Sequence, residues 1–137
     1  MMDEKTIDLL INSAKNIANK NFCCKHSNFT VGCALLTSDN KLYTGFNIEN
    51  DGIMSICAER VTLCKALSEF NNSFKAMAIE GKFLNDSKFI KTLPCGYCRQ
   101  FLSEYVGKDF IIYTYSDEDN KLYTYKLSDL LPESFSL

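Results

Sequence analysis

The sequence has no tryptophan, one histidine and two prolines in 137 residues. Nor does it hold an apolar run near the ~18–20 residues that a membrane-spanning helix requires, so no membrane association is expected. Basic charge is not in excess: 15 Lys plus Arg stand against 17 Asp plus Glu, a formal net charge of −2. Proteins built to hold a polynucleotide usually carry a basic field, and that class is disfavoured here. Internal repeats and low-complexity blocks are also missing. A hydrophobic fraction of 46% beside a charged fraction of 23% suits one soluble globular domain over residues 1–137, with enough chain to bury a core. The opening MMDEKTIDLLINSAKNIANK is acidic and periodic. It lacks the apolar centre and small-residue cleavage site of a secretory signal. A cytoplasmic, reducing environment is therefore expected.

Cysteine is what the chain has in quantity: seven residues. An odd count without a leader argues against a disulfide framework. Several are expected to be small buried hydrophobes.

Apolar residues recur with helical spacing at Ile7, Leu10, Ile11, Ala14, Ile17 and Ala18, which predicts a helix over about 3–20. Residues 29–36 and 41–48 flank the turn signal Ser38-Asp39-Asn40 and predict a β-hairpin. A second helix is expected over about 56–70, a buried strand over 74–81 and a third helix over 95–106 after Pro94. Strands over 110–115 and 121–126 and a short helix over 127–131 complete the order α-β-β-α-β-α-β-β-α. That order implies a three-layer α/β/α sandwich around one mixed sheet of about five strands.

Three cysteines stand where helices are expected to begin. Cys57-Ala58-Glu59 opens the second helix, and Pro94-Cys95-Gly96-Tyr97-Cys98 opens the third. Helix N-termini favour negative sulfur, so Cys57, Cys95 and Cys98 can converge on one zinc ion. Three protein ligands leave the fourth position open to water, as in catalytic sites. Cys64 is excluded as a fourth ligand, because seven helical residues carry it roughly 10 Å from Cys57. His26 is the remaining alternative for that position. Glu59, two residues past a ligand, is placed to take a proton from zinc-activated water and pass it to a leaving group. The competing reading is an exposed carboxylate favoured by the helix dipole. Three thiolates on Zn²⁺ carry a surplus negative charge, which Arg60 can draw off through hydrogen bonds to sulfur. Its alternative is a surface ion pair.

The segments Cys57-Ala58-Glu59-Arg60 and Pro94-Cys95-Gly96-Tyr97-Cys98-Arg99-Gln100 resemble the small, homotetrameric, zinc-dependent nucleoside cytidine deaminases of the three-cysteine type. So do Phe29-Thr30-Val31-Gly32, Thr44-Gly45-Phe46-Asn47-Ile48-Glu49-Asn50 and Leu130-Leu131-Pro132-Glu133-Ser134-Phe135, in the same order. The likeness runs from about residue 6 to residue 135. It implies one zinc per chain on Cys57, Cys95 and Cys98, with Glu59 as proton shuttle. It also implies that Phe29 stacks on the pyrimidine, Asn47 and Glu49 bond the ribose hydroxyls, and the backbone around Ala58 and Cys95 fixes the base edge. Phe135 would reach a neighbouring subunit's pocket. The implied reaction is hydrolytic deamination of cytidine or 2′-deoxycytidine to uridine or 2′-deoxyuridine, a pyrimidine salvage step. Without the resemblance, Phe29 reads as a core aromatic, Asn47 and Glu49 as turn residues, and Phe135 as a pin for the tail.

Two segments depart from the family pattern. Residues Asp51 to Ile56 are about one residue short and lack the usual tyrosine, and Lys25-His26-Ser27 stands where the family has Pro-Tyr-Ser. Both fall on expected pocket walls, which brings in a modified or antibiotic cytosine nucleoside of the blasticidin kind as an alternative substrate. From other classes come a polynucleotide-editing deaminase, disfavoured by charge, and a thioredoxin-like redox protein using Cys95 and Cys98. The last leaves Cys57 and Glu59 without a purpose. A non-catalytic zinc-stabilised binding domain is the third, and Glu59 with an open coordination position argues against it.

Overall fold

A computed structural model describes residues 2–137. Helix α1 (Glu4–Asn19) starts where the Asp3 side chain accepts the Thr6 N–H at 2.9 Å, which satisfies one of the free donors of the first turn. Strands β1 (Phe29–Thr37) and β2 (Leu42–Phe46) form the expected hairpin. Then come α2 (Ala58–Ser68), β3 (Phe74–Phe83), α3 (Gly96–Ser103), β4 (Ile111–Ser116), β5 (Lys121–Lys126) and α4 (Leu127–Leu130). The strands make one five-stranded sheet in the order β2-β1-β3-β4-β5. Only the β3–β4 pair is parallel, as its helical crossover through α3 demands.

Strand alternation divides the core into two layers. Cys33, Leu35, Met77, Ile79 and Ile112 face α2, α3 and α4, where they meet Leu63, Ala66, Leu102 and Leu127. Ala34, Leu36, Ala76, Ala78 and Tyr113 face α1 and pack on Leu10, Ile11 and Ala14. The architecture is the expected α/β/α sandwich. Gly32 permits the tight seat of α1, since a Cβ there would lie 2.0 Å from the Ala14 carbonyl oxygen. Among the described residues no helix is long and apolar enough to cross a membrane.

Element limits differ from expectation in two informative places. The second hairpin strand stops at Phe46 because the Asn47 side chain replaces the ladder, accepting from Val31 N–H and donating to the Phe29 carbonyl. Helix α3 ends at Ser103, whose hydroxyl bonds back to the Gln100 carbonyl at 2.6 Å. Such back-bonding competes with continued helix.

Glu80 of β3 is fully buried on the α1 side. Its Oε2 accepts from the Tyr115 N–H at 2.6 Å and the Thr114 hydroxyl at 3.2 Å. Its Oε1 has no hydrogen-bond partner and lies 3.8 Å from Lys15 Nζ, which is bonded to Asp117 instead at 3.0 Å. Burial dominates, and the Glu80 carboxyl is pushed up to about 8. The folded chain therefore holds a proton that the unfolded chain releases near 4.5. Stability from this group is complete below about pH 4.5 and is lost as pH rises towards 8. Urea unfolding across that window should show a fall on the order of a few kcal/mol. Glu80→Gln should flatten this slope, and an unchanged slope in the variant would locate the pH dependence elsewhere.

Candidate active site and metal centre

The three cysteines that could hold a metal ion sit where two helices begin. Cys57 is the N-cap of α2 and Cys95 the N-cap of α3, and neither helix has a side-chain cap hydrogen bond. Cys98 lies in the first turn of α3 and is fully buried. The three sulfurs lie within 4.8 Å of one another, and Cys57 Sγ is 3.8 Å from Cys95 Sγ. Tetrahedral zinc with sulfur at ~2.3 Å places its ligands about 3.8 Å apart, so the cluster has the dimensions of a zinc site. His26 and Cys64 are not members of this group. Cys64 is exposed on α2, and His26 Nε2 lies 3.3 Å from Asp51 Oδ1.

Electrostatics single out Cys57. A hydrogen bond from the Cys98 thiol, with Arg60 and Cys95 nearby, holds the Cys57 thiol down to about 5 against the cost of burial. The same contact, then burial and the Glu59 charge, push the Cys98 thiol up. Arg60 is held between these sulfurs and the Tyr97 ring, its guanidinium carbon 4.4 Å from the ring centroid. Its Nε is buried with no hydrogen-bond partner. Burial works against its charge, but the Cys98 and Cys57 sulfurs outweigh burial and keep its pKa raised. An orphaned N–H on an arginine that faces the Cys57 and Cys98 sulfurs fits a cluster that becomes anionic when it binds metal.

Glu59 is not the exposed carboxylate of the competing reading. It is only 4% exposed, and burial raises its pKa to about 7, with the Cys57 charge adding to the shift. Fully buried Cys33 of β1 lies close enough for the Glu59 charge to raise its thiol further, after burial itself.

The loop after β2 meets the start of β1. Phe29 is half-buried and packs edge-on against Phe83, with centroids 4.9 Å apart. Gly81 makes room for it, because a Cβ there would come within 2.8 Å of the Phe29 ring. Asn47 has its amide oriented by backbone groups, with Oδ1 accepting from Val31 N–H at 2.9 Å and Nδ2 donating to the Phe29 carbonyl at 3.0 Å. Glu49 Oε1 accepts the N–H groups of His26 at 3.0 Å and Ser27 at 3.2 Å. Burial raises the Glu49 pKa, but the Ser27 hydroxyl and those N–H groups outweigh it and leave the carboxylate below its ordinary value. The two segments that depart from the family pattern therefore meet: Asp51 reaches His26, and the His26 backbone holds Glu49. The Asp51 side chain itself is almost wholly in solvent.

Ala58 is buried as the first residue of α2. Phe135 is 64% exposed, and its ring borders a cleft of about 370 Å³ with Tyr97, Gln100, Phe101 and Glu104. The Gln100 side chain grips its backbone at two points, donating to the Phe135 carbonyl at 2.9 Å and accepting its N–H at 3.0 Å. Sequence reasoning passed over Gln100, Tyr97, Gly81 and Asn21. Gln100 and Tyr97 were visible within the zinc motif as residues with no assigned task, and Gly81 and Asn21 gave no signal.

Residues 4–114 match the family model described as the cytidine and deoxycytidylate deaminase zinc-binding region. A probable cytidine deaminase of Dictyostelium discoideum is 36% identical over 136 residues, covering 98% of this chain and 87% of that protein. The cytidine deaminase of Sporosarcina psychrophila is 37% identical over 112 residues, covering 81% and 78%. The crystal structure of cytidine deaminase from Burkholderia pseudomallei superposes with a TM-score of 0.80 at 31% identity, covering 98% of this chain and all of that one. The three-sulfur cluster, the buried glutamate and the five-stranded sheet thus sit in a chain that belongs to the cytidine and deoxycytidylate deaminase family and carries its zinc-binding region.

Proposed function

We propose that this chain hydrolyses cytidine and 2′-deoxycytidine to uridine and 2′-deoxyuridine, with release of ammonia. The observation that carries the reading is Glu59, a buried carboxyl with its pKa near neutrality beside a sulfur cluster of zinc dimensions. Cys57, Cys95 and Cys98 would hold the ion. Bound there, zinc supplies the Lewis acidity that makes water nucleophilic at neutral pH. Glu59 takes the first proton that water loses and gives it to the pyrimidine ring nitrogen. It then takes the second from the hydroxyl added at the amine-bearing carbon and gives it to the amine, which leaves as ammonia while the ring carbonyl forms. A pKa of about 7 suits both halves of that task. Arg60 offsets the surplus negative charge of three thiolates.

Phe29 stacks on the base, and the backbone near Ala58 and Cys95 meets its polar edge. Asn47 and Glu49 bond the ribose. Phe135 reaches the site of a neighbouring subunit in a homotetramer. A net charge of −2 suits a neutral nucleoside better than a polymer. The biological role would be pyrimidine salvage in the cytoplasm.

Ammonia release is measured on cytidine, 2′-deoxycytidine, free cytosine and blasticidin. Wild type should turn over the first two and hold about one zinc per chain. Glu59→Ala should keep its zinc and lose about 10²–10⁴-fold in kcat. Equal activity in the two proteins would remove Glu59 from the chemistry. Blasticidin turnover without cytidine turnover would move the substrate to the antibiotic class. A metal-free protein with a reversible Cys95–Cys98 disulfide would favour the redox class.

Mixing subunits tests the role of Phe135. Glu59→Ala and Phe135→Ala proteins, unfolded together and refolded, should form hybrid sites that combine an intact Glu59 with a neighbour's Phe135. Such mixtures should exceed the mean activity of the separate variants. Activity equal to that mean would place Phe135 within its own subunit's site or outside any site.

A further inference from the structure

We infer that Asn21 is a positioning residue for nucleoside recognition: it fixes the Asn47 amide so that Asn47 offers a ligand one N–H and no acceptor. This rests on the reading of Asn47 and Glu49 as the ribose-binding pair, and it adds a polarity to that pair and a residue that sets it.

Asn21 follows α1 and lies 26 positions from Asn47 in sequence. The Cys23 N–H donates to Asn21 Oδ1 at 2.7 Å. A backbone N–H cannot accept, so this bond decides which way the Asn21 amide faces. Its Nδ2 then points at Asn47 Oδ1, 2.7 Å away, with Thr30 Oγ1 at 3.1 Å and the Asn47 carbonyl at 3.2 Å as further acceptors. Thr30 can accept because its own hydrogen goes to the Ala18 carbonyl at 2.7 Å.

Counting donors and acceptors on Asn47 gives the consequence. Its Oδ1 has two lone pairs, and both are taken, one by Val31 N–H and one by Asn21. Its Nδ2 has two hydrogens, and one goes to the Phe29 carbonyl. One N–H remains. The groups form a continuous series from Cys23 N–H through the two amides to the Phe29 carbonyl, in which each bond polarises the next. The remaining N–H is therefore a better donor than that of an isolated amide.

Glu49 is the complement. Its Oε1 is filled by two backbone N–H groups, while no backbone N–H of the described residues reaches Oε2, and the Ser27 hydroxyl lies near the carboxylate. One partner donates and the other accepts, which addresses a hydroxyl that takes a bond from Asn47 and gives one to Glu49. Without Asn21 an Asn47 lone pair opens, and the stated polarity is lost.

The test compares cytidine with 2′,3′-dideoxycytidine, which lacks both ring hydroxyls of the sugar edge. Wild type, Asn21→Ala, Asn21→Asp, Asn47→Ala and the Asn21→Ala/Asn47→Ala double variant are assayed, with zinc content measured for each. Asn21→Ala should raise KM for cytidine about tenfold, change kcat by less than about twofold, and leave KM for the dideoxynucleoside unchanged. Asn21→Asp retains the acceptor for Cys23 N–H but sets an oxygen against Asn47 Oδ1, and should raise cytidine KM at least as far. It serves as the second variant should the alanine protein fold poorly. The double variant should be no worse than Asn47→Ala alone, because coupled residues are not additive.

Equal KM increases for both nucleosides, unchanged KM in both Asn21 variants, or full additivity in the double variant would overturn the inference. Asn47→Ala separates the two levels. Reduced preference for cytidine there but not in the Asn21 variants sinks the inference alone. Undiminished preference in Asn47→Ala sinks the ribose reading and the inference with it.

Discussion

A thiolate needs partial positive charge around it, and a helix start without a side-chain cap supplies that charge as free N–H groups. Here two such starts, those of α2 and α3, are aimed at one point with cysteine as the N-cap of each. An ordinary Ser, Thr or Asp cap would satisfy the first-turn N–H groups and stabilise each helix alone by about 1 kcal/mol. The chain forgoes that local gain at both places. What remains is a pair of electropositive ends that favour the ionised sulfur, and the rest of the site is arranged around them. Glu59 and Arg60 follow Cys57 by two and three positions in the first turn of α2, so the same helix start that presents a sulfur also presents a buried carboxyl and a cation held near the sulfurs.

The sheet is what brings the two helix starts together. Helix α2 runs from the hairpin to β3, α3 runs from β3 to β4, and both lie on the same face of β1, β3 and β4. A parallel β3–β4 pair forces α3 to cross over that face. The second helix layer thus exists for core packing, through Leu63, Ala66 and Leu102, and the metal cluster is carried at its edge. The opposite face holds α1 and a buried carboxyl, Glu80, that takes no part in the site. Separation of these roles across one sheet lets each face meet its own electrostatic demands.

Much of this was legible in the sequence because the signals were local. Helical spacing, the turn residues between β1 and β2, and paired cysteines near helix starts all act over a few residues. Cys57, Cys95, Cys98 and Glu59 could be named on that basis. The environment of Glu59 could not, since its burial depends on the whole helix layer. Glu80 was equally hidden: within FKAMAIEG it falls at the end of an apolar strand and looks like a strand terminus, whereas β3 runs on to Phe83 and buries it. Asn21 lay furthest out of reach. Its meaning is a count of lone pairs and hydrogens shared with Asn47 and with the Cys23, Val31 and Phe29 backbone. No periodicity or motif encodes such a count. The two departures from the family pattern were both visible, but their contact through His26 and Asp51 joins residues 25 positions apart and required coordinates.

The grip of Gln100 on the C-terminal segment touches only the peptide N–H and C=O of residue 135. Neither contact depends on which side chain stands there. The path of the tail is thereby separated from the chemistry of the group it displays, much as a socket is separated from the tool it holds. A smaller or polar side chain at this position would alter what borders the cleft and leave both backbone contacts in place. The same α3 that presents the Cys95 and Cys98 sulfurs thus also carries a mounting point for a wall of the cleft, and a change of side chain at residue 135 need not disturb that helix.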